Sequence, residues 1–376
     1  MTVYVDVSSA VHAKAGLSRY AESLVRELKP LLGTRLCLFQ NSLGRRGPLP
    51  GWEGYPTKGT TLGYKPWRMA VWLGQLLYWS MDRLVPGAEL FHATEHLLLP
   101  LKNIPTVLTV HDLVFERYPQ YHKIWNYTFL RSAMPLFCQR ATAIIAISEA
   151  TKADLQALYG LDPAKITVIP EAAAARFGPQ PTERVEAVRR RYGLPPRYML
   201  SVGTIEPRKN LTRLVDACRP TLEMGLSDGL VIVGSKGWLY EGFFEHLAKL
   251  PWRDKVILPG FVADEDLPAV YCGALVTVQP SLWEGFGLPV LEAMACGSPV
   301  CASNISSLPE VGGDAVRYFD PTHTEEISSV LADVLRDAEL RREMRQRGLT
   351  RSAAFSWRHT AERTVALYEQ VLHKTA

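Results

Sequence analysis

The sequence predicts an α/β protein built from two doubly wound, Rossmann-like domains that face each other across a cleft. Short β-branched runs alternate with helical stretches along the whole chain, which is typical of βαβ units and of parallel sheets with helices on both faces. The runs fall into two sets of about six, one set in each half. The chain has 376 residues, which is too long for one ordinary hydrophobic core and suits two.

The predicted strands can be read in chain order. Those of the first half are VYVDV, RLCLF, ELFHA, TVLTV, AIIAI and ITVIP. Those of the second half are YMLSV, LVIVG, KVILP, ALVTV, PVCAS and AVRYF. In open parallel sheets, ligands bind beyond the carboxyl ends of the strands. The residues that follow these runs are therefore the candidates for a functional site.

The domain boundary is predicted after ITVIP. Residues 171–183, EAAAARFGPQPTE, lose strand character and carry two prolines, which is typical of a linker. We therefore expect one domain over residues 1–170 and a second over residues 184–355. Residues 356–376 have apolar side chains at helical spacing and predict a C-terminal helix, which can pack on either domain, including back on the N-terminal one.

The composition excludes several classes of protein. Hydrophobic residues make up 47% and charged residues 21%, as in ordinary globular proteins, and a net charge of +4 is too small to indicate a nucleic-acid partner. None of the six cysteines forms a Cys-x-x-Cys pair, which favours buried thiols in a reducing compartment. The N-terminus lacks a basic start and an apolar core, so we predict no signal peptide and a cytoplasmic protein.

One segment raises the question of a membrane. Residues 65–87, KPWRMAVWLGQLLYWSMDRLVPG, predict a helix that starts near Pro66, but the apolar run is too short and too interrupted to span a bilayer. A buried helix is one interpretation. A helix on a membrane surface is the other, because three tryptophans are accompanied by basic residues.

Candidate residues follow two strands of the first half. After VYVDV, Gly16 is expected just before a helix, where a glycine lets the backbone approach a ligand and the helix N-terminus favours an anion. After TVLTV come His111 and Asp112, a polar pair at the end of an apolar strand. A cleft-facing site and a structural, hydrogen-bonded histidine are both open for His111.

In the second half, YMLSV is followed by GTIEPRKN. Gly203 precedes the adjacent cations Arg208 and Lys209, which suit a diphosphate because Arg offers a planar fork and Lys a compact charge. The alternative is a solvated surface pair. Their position after a strand favours the functional interpretation.

The most informative stretch is SLWEGFGLPVLEAMACGSPV, residues 281–300, which follows ALVTV. The bend GFGLP predicts a sharp turn into a helix, with Glu284 on the loop and Glu292 one turn into the helix. The first N–H groups of that helix can hold phosphate or hydroxyl oxygens, and each carboxylate can accept hydrogen bonds from different hydroxyls. A nucleotide sugar, with its central diphosphate and two hydroxyl-bearing rings, fits this pattern.

These residues also carry a resemblance to a known family. EGFGLPVLEA resembles the Glu-x7-Glu signature of the retaining glycosyltransferases of family 4 (GT4), which have the GT-B fold, and VGTIEPRKN resembles their Arg-Lys element. HDL and the Gly16 turn fall where the N-terminal elements of that family do. The resemblance covers essentially the whole chain and is strongest to bacterial mannosyltransferases of polysaccharide assembly. VIPEAAAARF departs from relatives with Asn-Gly after the proline.

The resemblance implies an acceptor-binding N-terminal domain, a nucleotide-sugar-binding C-terminal domain and a catalytic set. Arg208 and Lys209 would hold the diphosphate and neutralise the leaving group. Glu284 would contact the hydroxyls of the donor sugar. His111 would meet the transferred sugar near the scissile bond.

The resemblance also implies a donor-binding set. Glu292 would contact the ribose hydroxyls, and the nucleotide base would lie near Val262. Gly16 would line the phosphate from the other domain. The whole donor-binding set is Gly16, Gly203, Val262, Gly285, Phe286, Gly287, Leu288 and Glu292.

The implied reaction is transfer of a hexose, with mannose favoured, from a GDP-sugar or UDP-sugar to a glycan or lipid-linked acceptor. Because two cationic side chains can do the electrostatic work of a metal, we expect no divalent metal and no other cofactor. Two alternatives keep the fold: a nucleotide-sugar epimerase and a non-catalytic nucleotide-sugar-binding protein. Transfer is favoured over both, because no extra carboxylate motif suits epimerisation and the implied catalytic set is intact.

Overall fold

The structure is a computed structural model that describes residues 1–12, 15–42 and 51–375. The chain divides into two compact units. Unit 1 comprises Met1–Glu116, Ile124–Glu171 and Ser356–Ala376, and unit 2 comprises Arg117–Lys123 and Ala172–Phe355. Each unit has its own parallel sheet and its own hydrophobic core.

In the described part of unit 1, seven parallel strands lie in the order β3-β2-β1-β4-β5-β6-β7. Their bounds are β1 Val3–Asp6, β2 Leu36–Asn41, β3 Thr57–Thr60, β4 Leu90–Ala93, β5 Thr106–Val110, β6 Ala143–Ala146 and β7 Ile166–Val168. The helices are α1 Ser8–Val11, α2 Ala15–Leu32, α3 Tyr64–Leu76, α4 Val114–Arg117, α5 Ile124–Arg140, α6 Glu149–Tyr159 and, from the C-terminus, α15 Trp357–Thr375.

In unit 2, six parallel strands lie in the order β10-β9-β8-β11-β12-β13 among the described residues. Their bounds are β8 Tyr198–Val202, β9 Gly229–Val233, β10 Val256–Gly260, β11 Val276–Gln279, β12 Val300–Ser303 and β13 Val316–Phe319. The helices are α7 Thr182–Arg191, α8 Leu211–Glu223, α9 Glu241–Ala248, α10 Leu267–Gly273, α11 Leu288–Ala295, α12 Leu308–Gly312, α13 Thr324–Arg336 and α14 Ala338–Ser352.

The predicted α/β class and the two Rossmann-like sheets are confirmed, and every predicted run forms a strand. One strand of unit 1 was not predicted. β3 has the sequence TKGT, which contains no apolar run, and it pairs in parallel with β2 at the edge of the sheet. The side chains of β3 are partly or fully exposed and give no hydrophobic pattern. The strand therefore forms through its main-chain hydrogen bonds to β2.

Gly16 was expected just before a helix, and this placement is wrong. α2 begins at Ala15, so Gly16 lies inside its first turn and not before it. A Cβ added at Gly16 would meet no atom within 4 Å, so the described surroundings do not require a glycine there. The two residues before the helix lie outside the described residues.

The predicted linker, residues 171–183, overlaps a helix, because α7 begins at Thr182. The C-terminal helix α15 belongs to unit 1. Its Tyr368 hydroxyl lies 2.6 Å from Nδ1 of the buried His92, and its Thr360 hydroxyl donates to the carbonyl of Pro170 at 2.7 Å. The first contact connects α15 to β4, and the second connects it to the segment that follows β7.

The Trp-bearing segment forms α3, which begins two residues before Pro66. Trp67 and Val71 are buried in the core of unit 1, whereas Met69, Leu73 and Leu76 are exposed. The interpretation as a helix buried on most of its faces is therefore wrong. No helix within the described residues is long and apolar enough to cross a membrane.

Each sheet has one point where the strand order reverses, between β1 and β4 in unit 1 and between β8 and β11 in unit 2. Loops that leave the carboxyl ends of two such strands diverge and form a crevice that binds ligands. In unit 2, those loops are the segment from Gly203 to Lys209 after β8 and the segment from Ser281 to Gly287 after β11. The topology therefore brings the two most informative motifs together.

Candidate active site

The loop after β8 places Arg208 and Lys209 in a tight, anchored turn. Pro207–Lys209 form a 3₁₀ turn, and Asn210 adopts a left-handed conformation with φ of 56° before α8 begins. The Asn210 side chain donates to the carbonyls of Pro280 and Pro321 at 3.1 and 2.8 Å. This amide fixes the cationic turn against the loop after β11.

Arg208, Lys209 and Glu284 form one ion-pair cluster. Arg208 Nη1 lies 2.7 Å from Glu284 Oε2, and Lys209 Nζ lies 2.6 Å from Oε1. All three side chains are largely buried, at 16, 11 and 9% exposure respectively. At this burial the pair geometry is held far more firmly than at an exposed ion pair.

Neutral donors complete the surroundings of Glu284. The hydroxyl of Ser281 and the amide of Gln279 donate to Oε1 at 2.6 and 2.8 Å. Burial by itself would raise the pKa of Glu284, but the charges of Arg208 and Lys209 and these hydrogen bonds hold it well below its usual value. Glu284 is therefore an ionised acceptor and not a proton donor near neutral pH.

The sequence analysis missed Glu206, which pairs with the second terminal nitrogen of the Arg208 guanidinium. Arg208 Nη2 donates to Glu206 Oε1 at 2.7 Å, while Glu206 Oε2 is buried without a hydrogen-bond partner. Burial raises the pKa of Glu206, although Arg208 and Lys209 act against it. The only sequence signal was its place in the GTIEPRKN loop.

The GFGLP bend is shaped by its second glycine and braced by two serines. Gly287 has φ of 110°, and a Cβ there would lie 2.7 Å from Leu308 Cδ2, so only glycine fits. Ser307 donates to the carbonyls of Glu284 and Phe286 at 3.0 and 2.7 Å. Ser306 accepts from the N–H of Glu284 at 3.0 Å. Neither serine was predicted.

Glu292 has a different partner from Glu284. It lies inside α11, is 2% exposed, and accepts a hydrogen bond from the Tyr271 hydroxyl at 3.0 Å. Gly285, Phe286, Gly287 and Leu288 connect the two carboxylates and lead into the helix N-terminus. The two glutamates therefore occupy different environments.

The two remaining donor-set positions of unit 2 follow β8 and β10, the strands on either side of β9. Gly203 has φ of 152°, and a Cβ there would lie 3.3 Å from Lys209 Cε, so a larger residue would disturb the lysine. Val262 follows β10 and is buried, at 4% exposure.

A segment far away in sequence also reaches this site. Arg117, the last residue of α4, and residues 118–123, which lead to α5, belong to unit 2. The Tyr118 hydroxyl donates to the carbonyl of Leu282 at 3.2 Å, and Arg117 lies over the Trp283 ring at 5.2 Å. Trp238 donates to the carbonyl of Tyr121 at 2.5 Å. No sequence pattern predicted that this segment would support the loop that carries Glu284.

In unit 1, His111 is buried at the end of β5 and both ring nitrogens face acceptors. Nδ1 lies 3.1 Å from Glu171 Oε1, and Nε2 lies 2.9 Å from the carbonyl of Thr94. Burial would lower the pKa of His111, but the hydrogen bond and charge of Glu171 raise it above its usual value. These contacts therefore favour the charged form of the ring more than in an ordinary histidine. Glu171 lies in VIPEAAAARF, the stretch that departs from the family pattern. That departure was the sequence feature that could have indicated a role for Glu171.

The His111–Glu171 pair predicts a pH-dependent stability. A raised histidine pKa contributes stability that is present below the unfolded value of about 6.5 and is lost as pH rises through the folded pKa. Glu171→Gln should lower the free energy of unfolding by about 2 kcal/mol near pH 6, and by less at alkaline pH. Denaturant titrations across this range would test it, with the exposed Glu245→Gln as control. A pH-independent difference would contradict the pairing.

No group of three or more potential metal-ligating side chains occurs among the described residues. The expectation of a metal-free site overlooked one Asp-x-Asp pattern, Asp264-Glu265-Asp266. In the structure Asp264 pairs with Arg176 at 2.7 Å, and Asp266 pairs with Arg191 at 2.7 Å. These carboxylates have arginine partners, which is the ordinary structural role of such residues.

Within unit 2, the arrangement is suited to an anion that carries hydroxyl groups. Arg208 and Lys209 bring two cationic groups to Glu284, and the N-terminus of α11 lies next to Glu284 in sequence. Glu284 and Glu292 are two separate acceptors for hydroxyls. His111 and Gly16 belong to unit 1, where Tyr20 of α2 packs edge-on against the His111 ring at 4.7 Å between centroids.

Comparison with known proteins agrees with this arrangement. Residues 185–351 match the family described as glycosyl transferases group 1, and residues 15–175 match glycosyltransferase family 4. The chain is 32% identical over 273 residues to the "O-antigen chain mannosyltransferase B" of Escherichia coli, with 72% of each chain covered.

Solved structures share the fold at lower identity. A sucrose-phosphate synthase from Thermosynechococcus elongatus superposes with a TM-score of 0.79, 21% identity and full coverage of both chains. Anabaena Alr3699/HepE, in complex with UDP and glucose, has a TM-score of 0.75 and 18% identity, with 98% of this chain and 99% of that chain covered. Both family matches and the mannosyltransferase relative agree, so this chain is an enzyme of the family 4, group 1 glycosyltransferases with the GT-B fold.

Proposed function

We propose that the protein transfers a hexose, with mannose preferred, from a nucleoside-diphosphate sugar to a hydroxyl acceptor during polysaccharide biosynthesis, with retention of the anomeric configuration. The cluster of Arg208, Lys209 and Glu284 is the observation that carries the proposal. The E. coli relative, named as an O-antigen chain mannosyltransferase, supports the sugar and the pathway class.

The proposed roles in unit 2 follow from charge. Arg208 and Lys209 bind the diphosphate and stabilise the negative charge that grows on it as the glycosidic bond breaks. Glu284 orients both cations and accepts from hydroxyls of the donor sugar. Burial raises the pKa of Glu206, which pairs with Arg208 on the side away from Glu284.

The remaining roles concern the ends of the donor. Glu292, held by Tyr271, accepts from the ribose hydroxyls, and the backbone near Val262 contacts the nucleotide base, either guanine or uracil. The bend Gly285, Phe286, Gly287 and Leu288 offers main-chain N–H groups to the donor. Gly203 leaves space for the lysine, and Gly16 lines a phosphate.

Retention is supported by the state of His111. Inversion needs a general base on the acceptor side, and both ring nitrogens of His111 are engaged, one by Glu171 and the other by the carbonyl of Thr94. His111 instead contacts the transferred sugar. Without such a base, the departing diphosphate takes the acceptor proton, and attack from the same face keeps the configuration.

The stereochemical outcome is the decisive test of this mechanism. With GDP-α-mannose and a screened set of mannosides as acceptors, we expect an α-linked product, identified by NMR of the anomeric centre. A β-linked product would overturn retention. Epimerised sugar formed from the donor alone would favour an epimerase. Absence of both transfer and slow donor hydrolysis with any GDP- or UDP-sugar would favour a non-catalytic binding protein.

A thermal-shift screen of GDP- and UDP-sugars would identify the donor, because a ligand that binds the folded state raises the apparent stability of the protein. We expect GDP-mannose to give the largest shift. A larger shift with any other nucleotide sugar would correct the donor while leaving the reaction class in place.

We further propose that transfer needs neither a divalent metal nor another cofactor, since Arg208 and Lys209 supply the charge that a metal would. Activity should persist in EDTA. A complete loss that added Mg²⁺ or Mn²⁺ restores would contradict this. The proposed setting is the cytoplasm, with a glycan or lipid-linked acceptor.

A further inference from the structure

The exposed apolar side chains of the molecule are concentrated on one surface of unit 1. Nine of the thirteen large hydrophobic side chains exposed within the described chain lie on α3, on the segments beside it or at the start of α5. We call this set the apolar strip: Leu62, Met69, Leu73, Leu76, Leu77, Tyr78, Trp79, Ile124 and Trp125. Scattered exposed hydrophobic residues are ordinary, but a contiguous set indicates an interaction surface.

α3 and α5, which carry five members of the strip, lie side by side. Near their N-termini, Arg68 donates to Asn126 at 3.0 Å and its guanidinium lies 3.9 Å from the Phe129 ring centroid. At the other end, the Arg140 guanidinium lies 3.6 Å over the Tyr78 ring. Met69, Leu73 and Leu76 follow helical spacing on one face of α3.

The most exposed members lie at the two ends of the strip. Leu77, Tyr78 and Trp79 are 70, 63 and 69% exposed, and Trp125 is 87% exposed. Tyr78 has φ of 56°, a left-handed conformation that is unfavourable for a residue with a side chain. A strained backbone that presents three apolar side chains to solvent indicates a function for them.

The charge around the strip identifies its partner. Residues 62–83 and 124–140 contain five basic residues, Lys65, Arg68, Arg83, Arg131 and Arg140, and one acidic residue, Asp82. Asp82 accepts hydrogen bonds from the Lys102 N–H and the Asn103 amide. Tyr78, Trp79, Arg83 and Lys102 also line one shallow cavity of about 580 Å³.

We infer that the apolar strip is a docking surface for an anionic lipid bilayer, with Leu77, Tyr78 and Trp79 inserted at the headgroup level. Tryptophan and tyrosine favour that depth, and the basic side chains attract anionic headgroups. A second copy of the chain is a poor partner, since a symmetric dimer would bring the same basic surface against itself. The inference does not depend on the proposed sugar donor or reaction.

Vesicle co-sedimentation tests the inference without donor or acceptor. The full chain should sediment with vesicles of phosphatidylcholine and phosphatidylglycerol at low salt, less so at high salt, and little with phosphatidylcholine alone. Leu77→Ser/Trp79→Ser should weaken binding about tenfold or more, because two apolar side chains lose their insertion. Arg83→Gln/Arg131→Gln should weaken it about fivefold per residue.

The matched control is Leu158→Ser/Met224→Ser, which removes two exposed apolar side chains outside the strip and should leave binding unchanged. Thermal unfolding of each variant checks the fold. No binding of the wild type to anionic vesicles at low salt would overturn the inference, as would equal losses in the strip and control variants. A wild-type dimer, detected by light scattering and abolished by Leu77→Ser/Trp79→Ser, would assign the strip to self-association instead.

Discussion

Arg208→Ala and Lys209→Ala should each lower the rate of hexosyl transfer by roughly ten- to a hundredfold. A hydrogen bond to a charged group contributes about 1.5–3 kcal/mol, and these bonds strengthen as charge develops on the leaving diphosphate. Steady-state rates with the identified donor measure the effect. Arg219→Ala, an exposed arginine of α8 paired with Glu223, is the matched control and should keep normal activity.

Removing one cation also leaves Glu284 buried without one of its partners, so lost stability must be separated from lost chemistry. Lys209→Met/Glu284→Gln removes a charge of each sign and should be more stable than Lys209→Met alone. If Lys209 acts on the diphosphate, this double variant should be slower than Glu284→Gln alone. Turnover equal to that of Glu284→Gln would show that the lysine only holds the fold.

Glu284→Gln should have the second largest effect. The variant loses the negative charge that orients Arg208 and Lys209 and the strong acceptor proposed for the donor hydroxyls. We expect transfer to fall at least about tenfold. The protein should still fold but unfold at a lower temperature, because two buried cations lose their counter-charge. Glu223→Gln, an exposed glutamate on α8, is the control.

The stability difference between the wild type and Glu284→Gln should depend on pH in a definite direction. The pKa of Glu284 is held well below its usual value: Arg208 and Lys209 outweigh the opposing effect of burial. Its stabilisation is therefore present above the unfolded value of about 4.3 and is lost as pH falls through the folded pKa. The stability difference between the wild type and Glu284→Gln should shrink in acid. A difference that grows below pH about 4 would contradict the assignment.

The two active-site predictions and the pairing of His111 concern different units, so they can fail independently. Loss of activity in Arg208→Ala with an intact pH response of His111 would locate the defect in unit 2. Normal activity in Arg208→Ala together with an altered pH response of His111 would locate the defect at the Glu171 pairing in unit 1. Neither outcome bears on vesicle binding by the apolar strip.

The sequence by itself determined the elements whose signal is local. β-branched runs identified all the buried strands, because a strand enclosed on both faces is a continuous apolar run. Gly287 and Pro289 predicted the bend and the start of α11, since backbone conformation at those residues depends on their own side chains. The candidates Arg208, Lys209, Glu284 and Glu292 followed from their place after such strands.

Only the tertiary structure decided the features that rest on contacts between distant residues. β3 forms through main-chain pairing with β2, which leaves no hydrophobic pattern in TKGT. α15 belongs to unit 1, where Tyr368 meets His92 across 276 positions of sequence. The Glu171 carboxylate pairs with Nδ1 of His111, and the Tyr118 hydroxyl donates to the carbonyl of Leu282. The reason is physical: a hydrogen bond depends on distance in space, and sequence spacing carries no record of which distant groups will meet.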